Sequence, residues 1–153
     1  MRTLAIDLGS KRVGLALSDE GGRFATPLEV ISVTSPDQAF TPILNRIVTE
    51  GVTRVVLGLP LNMDDSLGDA ARRTIAWGRA LAARSAIEVV FVDERLSSFA
   101  AEQRLIDRKR CGERITRADK KQRLDALAAA GFLQEFLDGR LPPIHLDAPG
   151  AGG

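Results

Sequence analysis

The chain has 153 residues, of which 44% are hydrophobic and 27% are charged, and its formal net charge is +1. This size and composition are typical of one globular domain, which buries about 70% of its unfolded surface. No apolar run approaches the roughly 20 residues of a membrane helix, and one cysteine with one histidine excludes an internal disulfide and a Cys/His zinc site.

The first third of the chain predicts three strands. The run from Thr3 to Leu8 is almost continuously apolar, as expected of a strand buried on both faces. Val13, Leu15 and Leu17 alternate with small residues in a second strand, and residues 24–33 supply a third. Short turns separate the three, so we expect an antiparallel meander. The chain begins without the pattern of a signal peptide, and we expect a cytoplasmic protein.

Helices and strands alternate in the rest of the chain. The pattern predicts a helix from about Ser35 to Gly51, a strand over Val52 to Leu59 and, after a loop over residues 60–66, a helix to about Ser85. A buried strand over Ile87 to Val92 follows, then a helix from Ser97 or Ser98 towards Arg108 and a last helix from Arg117 to Leu137.

These elements predict an α/β fold with a mixed five-stranded sheet, in which the meander is followed by parallel strands and helices pack on the sheet. We expect one domain over residues 1–140 and a flexible C-terminal tail over residues 141–153. Parallel strands bring their carboxyl ends to one edge of the sheet, where reactive groups are expected.

Acidic residues occupy the ends of two predicted buried strands. Asp7 interrupts an apolar strand, where an ionised carboxylate costs several kcal/mol unless it is paired or bound to a metal. Asp93 and Glu94 directly follow the strand that ends at Val92. The alternatives are a structural aspartate that accepts hydrogen bonds from the turn after Asp7, and a solvated boundary at the acidic pair.

Asp125 lies in the last predicted helix. Stepping that helix at 100° per residue places Ala128, Ala129, Phe132 and Phe136 within about 60° of Asp125, so this carboxylate is expected to face the core. A salt bridge to Lys121, one turn earlier, is the alternative.

Carboxylates that converge on a sheet edge repel one another, and a divalent cation relieves that repulsion at neutral pH. Oxygen ligands favour Mg²⁺ or Mn²⁺ over zinc. In such sites two ions roughly 4 Å apart can activate a water molecule and stabilise the leaving oxygen of a phosphodiester without help from histidine or cysteine.

Positive charge is concentrated in one segment of the chain. Residues 104–123 contain nine Lys and Arg against three Asp and Glu, a net charge of +6, while the remainder carries −5. A basic face of this kind is typical of nucleic-acid binding, although a solvated helical surface is the alternative. Cys111 lies within this segment, and we assign it no role.

Four sequence blocks resemble the YqgF/RuvX family of ribonuclease-H-like proteins, which includes Holliday junction resolvases and nucleases that mature the 5′ end of pre-16S ribosomal RNA. The resemblance covers nearly the whole chain. The blocks are Asp7-Leu8-Gly9 with Arg12 and Gly14; Gly58-Leu59-Pro60-Leu61; Asp93-Glu94-Arg95-Leu96-Ser97-Ser98; and Asp125-Ala126-Leu127-Ala128-Ala129.

The resemblance implies a ribonuclease-H-like fold and an acidic site formed by Asp7, Glu94 and Asp125, which would be both the catalytic residues and the ligands of Mg²⁺ or Mn²⁺. Asp93 is the alternative to Glu94. Candidates for nucleic-acid contact lie beside these carboxylates, at the exit of a third strand and in the basic segment. They are Lys11, Arg12, Asn62, Arg95, Arg108, Lys109, Arg110, Lys120 and Lys121.

The function expected from this resemblance is metal-dependent endonucleolytic cleavage of structured nucleic acid, above all 5′ processing of pre-16S ribosomal RNA. Three alternatives stay open. The first is resolution of Holliday junctions in DNA, for which a homodimer would be favoured over a monomer because two symmetric cuts call for two sites. The second is a non-catalytic RNA-binding factor in ribosome assembly. The third is ATP binding by a hairpin like that of sugar kinases, although 153 residues supply only one of the two domains that those proteins close over ATP.

Overall fold

The structure is a computed structural model that describes residues 2–62, 64, 66–96 and 117–144; for residues 96 and 117–125 it describes the backbone alone. Five strands and three α-helices are present in this part of the chain. The strands are β1 (Arg2–Leu8), β2 (Arg12–Ser18), β3 (Ala25–Ser32), β4 (Val52–Leu59) and β5 (Glu88–Asp93). The helices are α1 (Phe40–Thr49), α2 (Asp69–Ser85) and α3 (Arg117–Leu137), with 3-10 turns at Pro36–Ala39 and Glu94–Leu96.

The strands form a single mixed sheet in the order β3-β2-β1-β4-β5. β1 pairs antiparallel with β2, and β2 pairs antiparallel with β3, which confirms the predicted meander. β4 lies parallel to β1 and β5 lies parallel to β4, because the helices α1 and α2 return the chain to the same end of the sheet. The carboxyl ends of β1, β4 and β5 therefore meet at one edge.

Helices cover both faces of the sheet. On one face, α1 and α2 pack against side chains such as Leu4, Ile6, Leu57 and Phe91. On the other face, α3 packs against Ala5, Ala16, Val56 and Val92 through a surface that includes Ala129, Phe132 and Leu133. Alternate residues of each central strand belong to these two cores, which explains why β1 and β4 are continuously apolar in sequence.

The predicted elements agree with the structure, and the largest differences in their bounds are at the starts of two helices. The helix expected from Ser35 begins as a 3-10 turn and becomes α-helical at Phe40, and the helix after the loop begins at Asp69. The predicted helix from Ser97 towards Arg108 lies outside the described residues.

The start of the expected C-terminal tail is held against the sheet. Leu141 is 1% exposed, and the backbone N–H of Ile144 donates a hydrogen bond of 2.7 Å to the carbonyl of Phe91. The packed chain thus extends through Ile144, and residues 145–153 lie outside the described part. No helix in the described part is both long and apolar enough to cross a membrane.

Candidate active site

Asp7 lies on the α3 face of the sheet, near the carboxyl end of β1. It follows Ala5 at an interval of two residues, and Ala5 belongs to the core beneath α3. Asp7 is directly paired with Gly14 on β2, and it comes one residue after the pair that Ile6 forms with Leu57 on β4. The neighbour of Asp7 on β4 is therefore Gly58. A glycine on each side leaves room on the sheet face beside this half-buried carboxylate.

Glu94 comes to the same place from β5. It is the first residue after that strand, and it begins a 3-10 turn. A Cβ atom built on Gly58 would lie 3.1 Å from Glu94 Oε2 and 3.3 Å from Phe132 Cε2. The carboxylate of Glu94 and the ring of Phe132 thus occupy the space that the missing side chain of Gly58 leaves. Two of the three predicted carboxylates, Asp7 and Glu94, therefore flank Gly58 on one face.

Asp93 points to the opposite face. It alternates with Val92, which packs beneath α3, and shares its face with Phe91 in the core under α1 and α2. Its carboxylate accepts hydrogen bonds from Arg95: Oδ1 from the backbone N–H and from Nε, both at 3.0 Å, and Oδ2 from Nη2 at 2.8 Å. The hydrogen bonds from Arg95 hold the pKa of Asp93 below its usual value, although burial acts in the other direction. Asp93 therefore serves the scaffold on the other side of the sheet from Asp7.

A chain of hydrogen bonds from Asp93 through Arg95 to the Asn62 carbonyl, which we call the clamp, connects the loop after β4 to the turn after β5. Arg95 Nη1 donates to the carbonyl of Asn62, so the guanidinium joins the ends of β4 and β5. The Asn62 side chain donates to Ser66 Oγ at 3.0 Å, and its backbone N–H donates to the Ser66 carbonyl at 3.1 Å. Ser66 donates in turn to Asp64, and these hydrogen bonds lower the pKa of Asp64. In the structure Asn62 and Arg95 hold the loops that follow β4 and β5, and their expected contact with nucleic acid stays a prediction.

Lys11 and Arg12 lie in the turn that follows β1 and at the start of β2. The turn is closed by a hydrogen bond of 3.0 Å from the Gly9 N–H to the Arg12 carbonyl. A Cβ atom on Gly9 would lie 2.5 Å from that carbonyl oxygen, so this tight turn requires glycine. Arg12 alternates with Gly14 and so lies on the face of Asp7, while Lys11 is exposed beside it. The turn therefore brings positive charge to the edge of the acidic site.

The remaining predicted residues are described in part or not at all. Asp125 lies within α3, four residues before Ala129 and seven before Phe132, but its side chain lies outside the described residues. The same is true of the side chains of Lys120 and Lys121, while Arg108, Lys109 and Arg110 lie wholly outside. The described residues contain no group of three or more His, Cys, Asp and Glu able to hold a metal. The Asp125 assignment stays a prediction.

The sequence analysis missed the part that Gly58 plays in forming the site. A glycine within an otherwise apolar, buried strand is an available signal, since such positions often mark a close approach by another group. The clamp between Asp93 and Arg95 was missed as well. Alternation along β5 could have shown that the two acidic residues lie on opposite faces, although not which face carries the site.

The sequence has close relatives. Residues 1–139 match the profile of the family described as RuvX: Holliday junction resolvase. A protein of Acidiphilium cryptum named "Putative pre-16S rRNA nuclease" is 40% identical over 137 residues, which cover 90% of this chain and 84% of the relative. Proteins with the same name from Rhizobium rhizogenes and Anaeromyxobacter sp. are each 41% identical; the matches cover 87% and 92% of this chain and 78% and 98% of those relatives.

Solved structures share the fold. The RuvC structure of Thermus thermophilus aligns with a TM-score of 0.56 and 18% identity, and it covers 94% of this chain and 100% of RuvC. The same protein in complex with a Holliday junction substrate aligns with a TM-score of 0.55. These similarities confirm the ribonuclease-H-like fold.

Proposed function

The chain belongs to the RuvX family, a family of nucleases, and from that premise we propose that it is a metal-dependent endonuclease that processes the 5′ end of pre-16S ribosomal RNA. The nuclease class follows from the family and its relatives. The observation that carries the proposed site is the position of Asp7 and Glu94 on either side of Gly58, at the edge where the parallel strands end.

The donor set fits a hard divalent cation. Asp7 and Glu94 offer carboxylate oxygens, and the space above Gly58 admits the Glu94 carboxylate to the sheet face. In α3, Asp125 and Phe132 are two helical turns apart and so occupy one side of the helix, and Phe132 contacts the space above Gly58. We therefore assign Asp7, Glu94 and Asp125 as the residues that would hold Mg²⁺ or Mn²⁺.

The cation would supply Lewis-acid stabilisation of the phosphodiester oxygens and an acidified water molecule. The protein itself holds the carboxylate ligands in position. Asp7 is held on the sheet, and the clamp from Asp93 through Arg95 to the Asn62 carbonyl fixes the start of the turn that carries Glu94. We propose that Lys11 and Arg12, at the edge of the acidic site, contact the phosphate backbone of the substrate.

The substrate is assigned from the relatives, which are named for pre-16S ribosomal RNA. A DNA four-way junction is the second candidate, and it is favoured by the description of the family. The two differ in the number of sites they need, because symmetric resolution of a junction calls for a homodimer while one cut in RNA needs a single site. Sedimentation of the active species distinguishes the two. A cytoplasmic location is part of the same proposal.

The decisive experiment is cleavage with Mg²⁺ or Mn²⁺ of two substrates, a 5′-extended 16S precursor RNA and a DNA four-way junction. We expect Asp7→Asn and Glu94→Gln each to lower the cleavage rate by at least about 100-fold, because each removes a ligand from a site that contributes several kcal/mol. The fold should stay intact, as judged by circular dichroism.

Glu88→Gln is the matched control, since Glu88 is an exposed carboxylate at the opposite end of the same strand that precedes Glu94. Its rate should equal that of the parent. An undiminished rate in Asp7→Asn would contradict the catalytic assignment. If the parent cleaves the junction in preference to the RNA, the assigned substrate becomes the DNA junction. If the parent binds the RNA without cleaving it, the result favours a ribosome-assembly factor.

A further inference from the structure

A groove of about 760 Å³ lies on the face of the sheet opposite the acidic site. Its walls are α2 on one side and the turn around Pro36 on the other, and it opens at the sheet edge beside Leu8, Gly9 and Pro60. The floor includes Phe40 and Trp77, whose rings stack at 4.9 Å between centroids. The volume lies within the usual range for ligand sites.

The floor of the groove is preformed. Trp77 and Phe40 are each 5% exposed, and Trp77 Nε1 donates a hydrogen bond of 3.0 Å to the Pro36 carbonyl. The guanidinium carbon of Arg84 lies 4.3 Å from the centroid of the Phe40 ring. This cation–π contact holds the exposed guanidinium at the rim of the groove.

The rim of the groove is basic. Arg73 and Arg84 line it and are exposed, against the single carboxylate of Asp37. Within the described part of the chain, no ion pair joins either arginine to a carboxylate. The rest of α2 has the same character, because it also carries exposed Arg72 and Arg79 outside the groove. The charge of this rim complements a polyanion.

The groove is continuous with the edge that carries the acidic site. Leu8 and Gly9, at its mouth, directly follow Asp7 in β1, and Pro60 comes two residues after Gly58 in β4. Consecutive Cα atoms are 3.8 Å apart, so a strand bound at the carboxylates need only cross the sheet edge to enter the groove.

We propose that this groove binds the single strand of nucleic acid that flanks the cleaved bond, with Arg73 and Arg84 contacting its phosphates and the apolar floor accommodating a sugar or base. This assignment rests on the proposed nuclease function. It adds a substrate contact surface on α2, outside the segment of residues 104–123 in which the sequence concentrates positive charge.

The test measures binding separately from cleavage, in the Asp7→Asn background. The probes are fluorescein-labelled single strands of RNA and of DNA of about twelve nucleotides, within the usual site size of single-strand-binding domains. We expect Arg73→Gln/Arg84→Gln to weaken binding about 10-fold. The plot of log affinity against log salt should become shallower by about 0.7 for each lost phosphate contact, or about 1.4 for the pair.

Arg72→Gln/Arg79→Gln is the matched control, because it removes the same charge from the same helix outside the groove. Its affinity should fall less than 3-fold. Equal losses in the two double variants would show a diffuse basic helix and overturn the proposal, as would no loss in either. A difference between the RNA and DNA probes identifies which strand the groove prefers.

A second pair of variants leaves the contact between Arg84 and Phe40 intact. Ala76 and Ala83 are both exposed on α2, but only Ala76 lines the groove. Ala76→Glu should weaken binding about 10-fold by repulsion, while Ala83→Glu should have less than a 3-fold effect. Equal effects would overturn the proposal. If the parent protein binds through the groove but cleaves nothing, the nuclease proposal fails while the groove assignment stands.

Discussion

Asp93 and Glu94 are consecutive in the chain, yet they serve opposite faces of the sheet. Glu94 occupies the space above Gly58 on the face of Asp7, while Asp93 binds Arg95 on the other face. The two carboxylates therefore have different expected roles. Glu94 belongs to the proposed chemistry, and Asp93 stabilises the loop that positions it.

Replacement of Asp93 should show this role in stability. Because the Arg95 hydrogen bonds hold the folded pKa of Asp93 below its unfolded value, its contribution is present above about pH 4 and is lost as the pH falls through the folded pKa. We expect Asp93→Asn to lower the free energy of unfolding by about 1–3 kcal/mol at pH 7. Urea denaturation over a pH series measures the difference from the parent.

The gap between parent and Asp93→Asn should narrow as the pH falls below about 4 and close only below the folded pKa, where the carboxylate of the folded parent becomes protonated. Glu88→Gln, an exposed neutralisation on the same strand, should stay close to the parent at every pH. A gap that persists unchanged at low pH would mean that packing, rather than the ion pair, is what the substitution removes.

The sequence could predict a functional residue where a charged side chain interrupts a buried, apolar segment. Asp7 stood out because it interrupts an apolar strand, and the structure places it on the face covered by α3. The choice between Asp93 and Glu94 depended on the family resemblance, since an acidic pair at a strand end has no preferred face without the register of its neighbours. The hydrogen bond from Arg95 to the Asn62 carbonyl could not be predicted, because it joins loops that are 33 residues apart in sequence.

At the scale of elements, α2 approaches the sheet so closely that it needs a glycine at position 78. A Cβ atom on Gly78 would lie 2.8 Å from Leu57 Cδ2 and 2.8 Å from two atoms of the Phe91 ring. This contact sets the distance between α2 and β4 and β5. It thus holds one wall of the groove in place.

We expect Gly78→Ala to destabilise the protein even though alanine favours the helix. Overpacking costs about 1–3 kcal/mol, whereas replacing glycine by alanine in a helix contributes about 1 kcal/mol of stability. A net loss of up to about 2 kcal/mol should appear in thermal or urea unfolding. Ala83→Gly, at an exposed position of the same helix, measures the helix contribution alone and should cost about 1 kcal/mol. A Gly78→Ala variant more stable than the parent would contradict the close packing.

Elements were easier to predict than the contacts between them. The β4 bounds, the extent of α3 and the antiparallel meander follow from local periodicity and turn residues, which act over a few positions. The groove between α2 and the turn at Pro36 depends on how separate elements pack. Its arginines lie on a helix whose sequence pattern predicts only an amphipathic surface.

For the whole molecule, bound metal should act as a stabilising ligand. If Asp7 and Glu94 hold the cation, Mn²⁺ at about 100 times its dissociation constant adds about 2.7 kcal/mol to the folded state. For a chain of this size that corresponds to a rise in Tm of about 5–10 °C. Differential scanning calorimetry with and without Mn²⁺ measures the shift.

Asp7→Asn and Glu94→Gln should lose most of this rise in Tm, while Glu88→Gln should keep it. Because unfolding is measured without substrate, the result does not depend on cleavage activity. An equal rise in all four proteins would place the bound cation elsewhere on the chain.

Gly58 limits how this site can change during evolution. The carboxylate of Glu94 lies where a side chain at position 58 would lie, so the site depends on the absence of a side chain there. A descendant could retain every acidic residue and still lose the arrangement through one enlarged side chain at this position. To judge whether a related chain can form this site, the residue at position 58 should be examined together with the acidic residues.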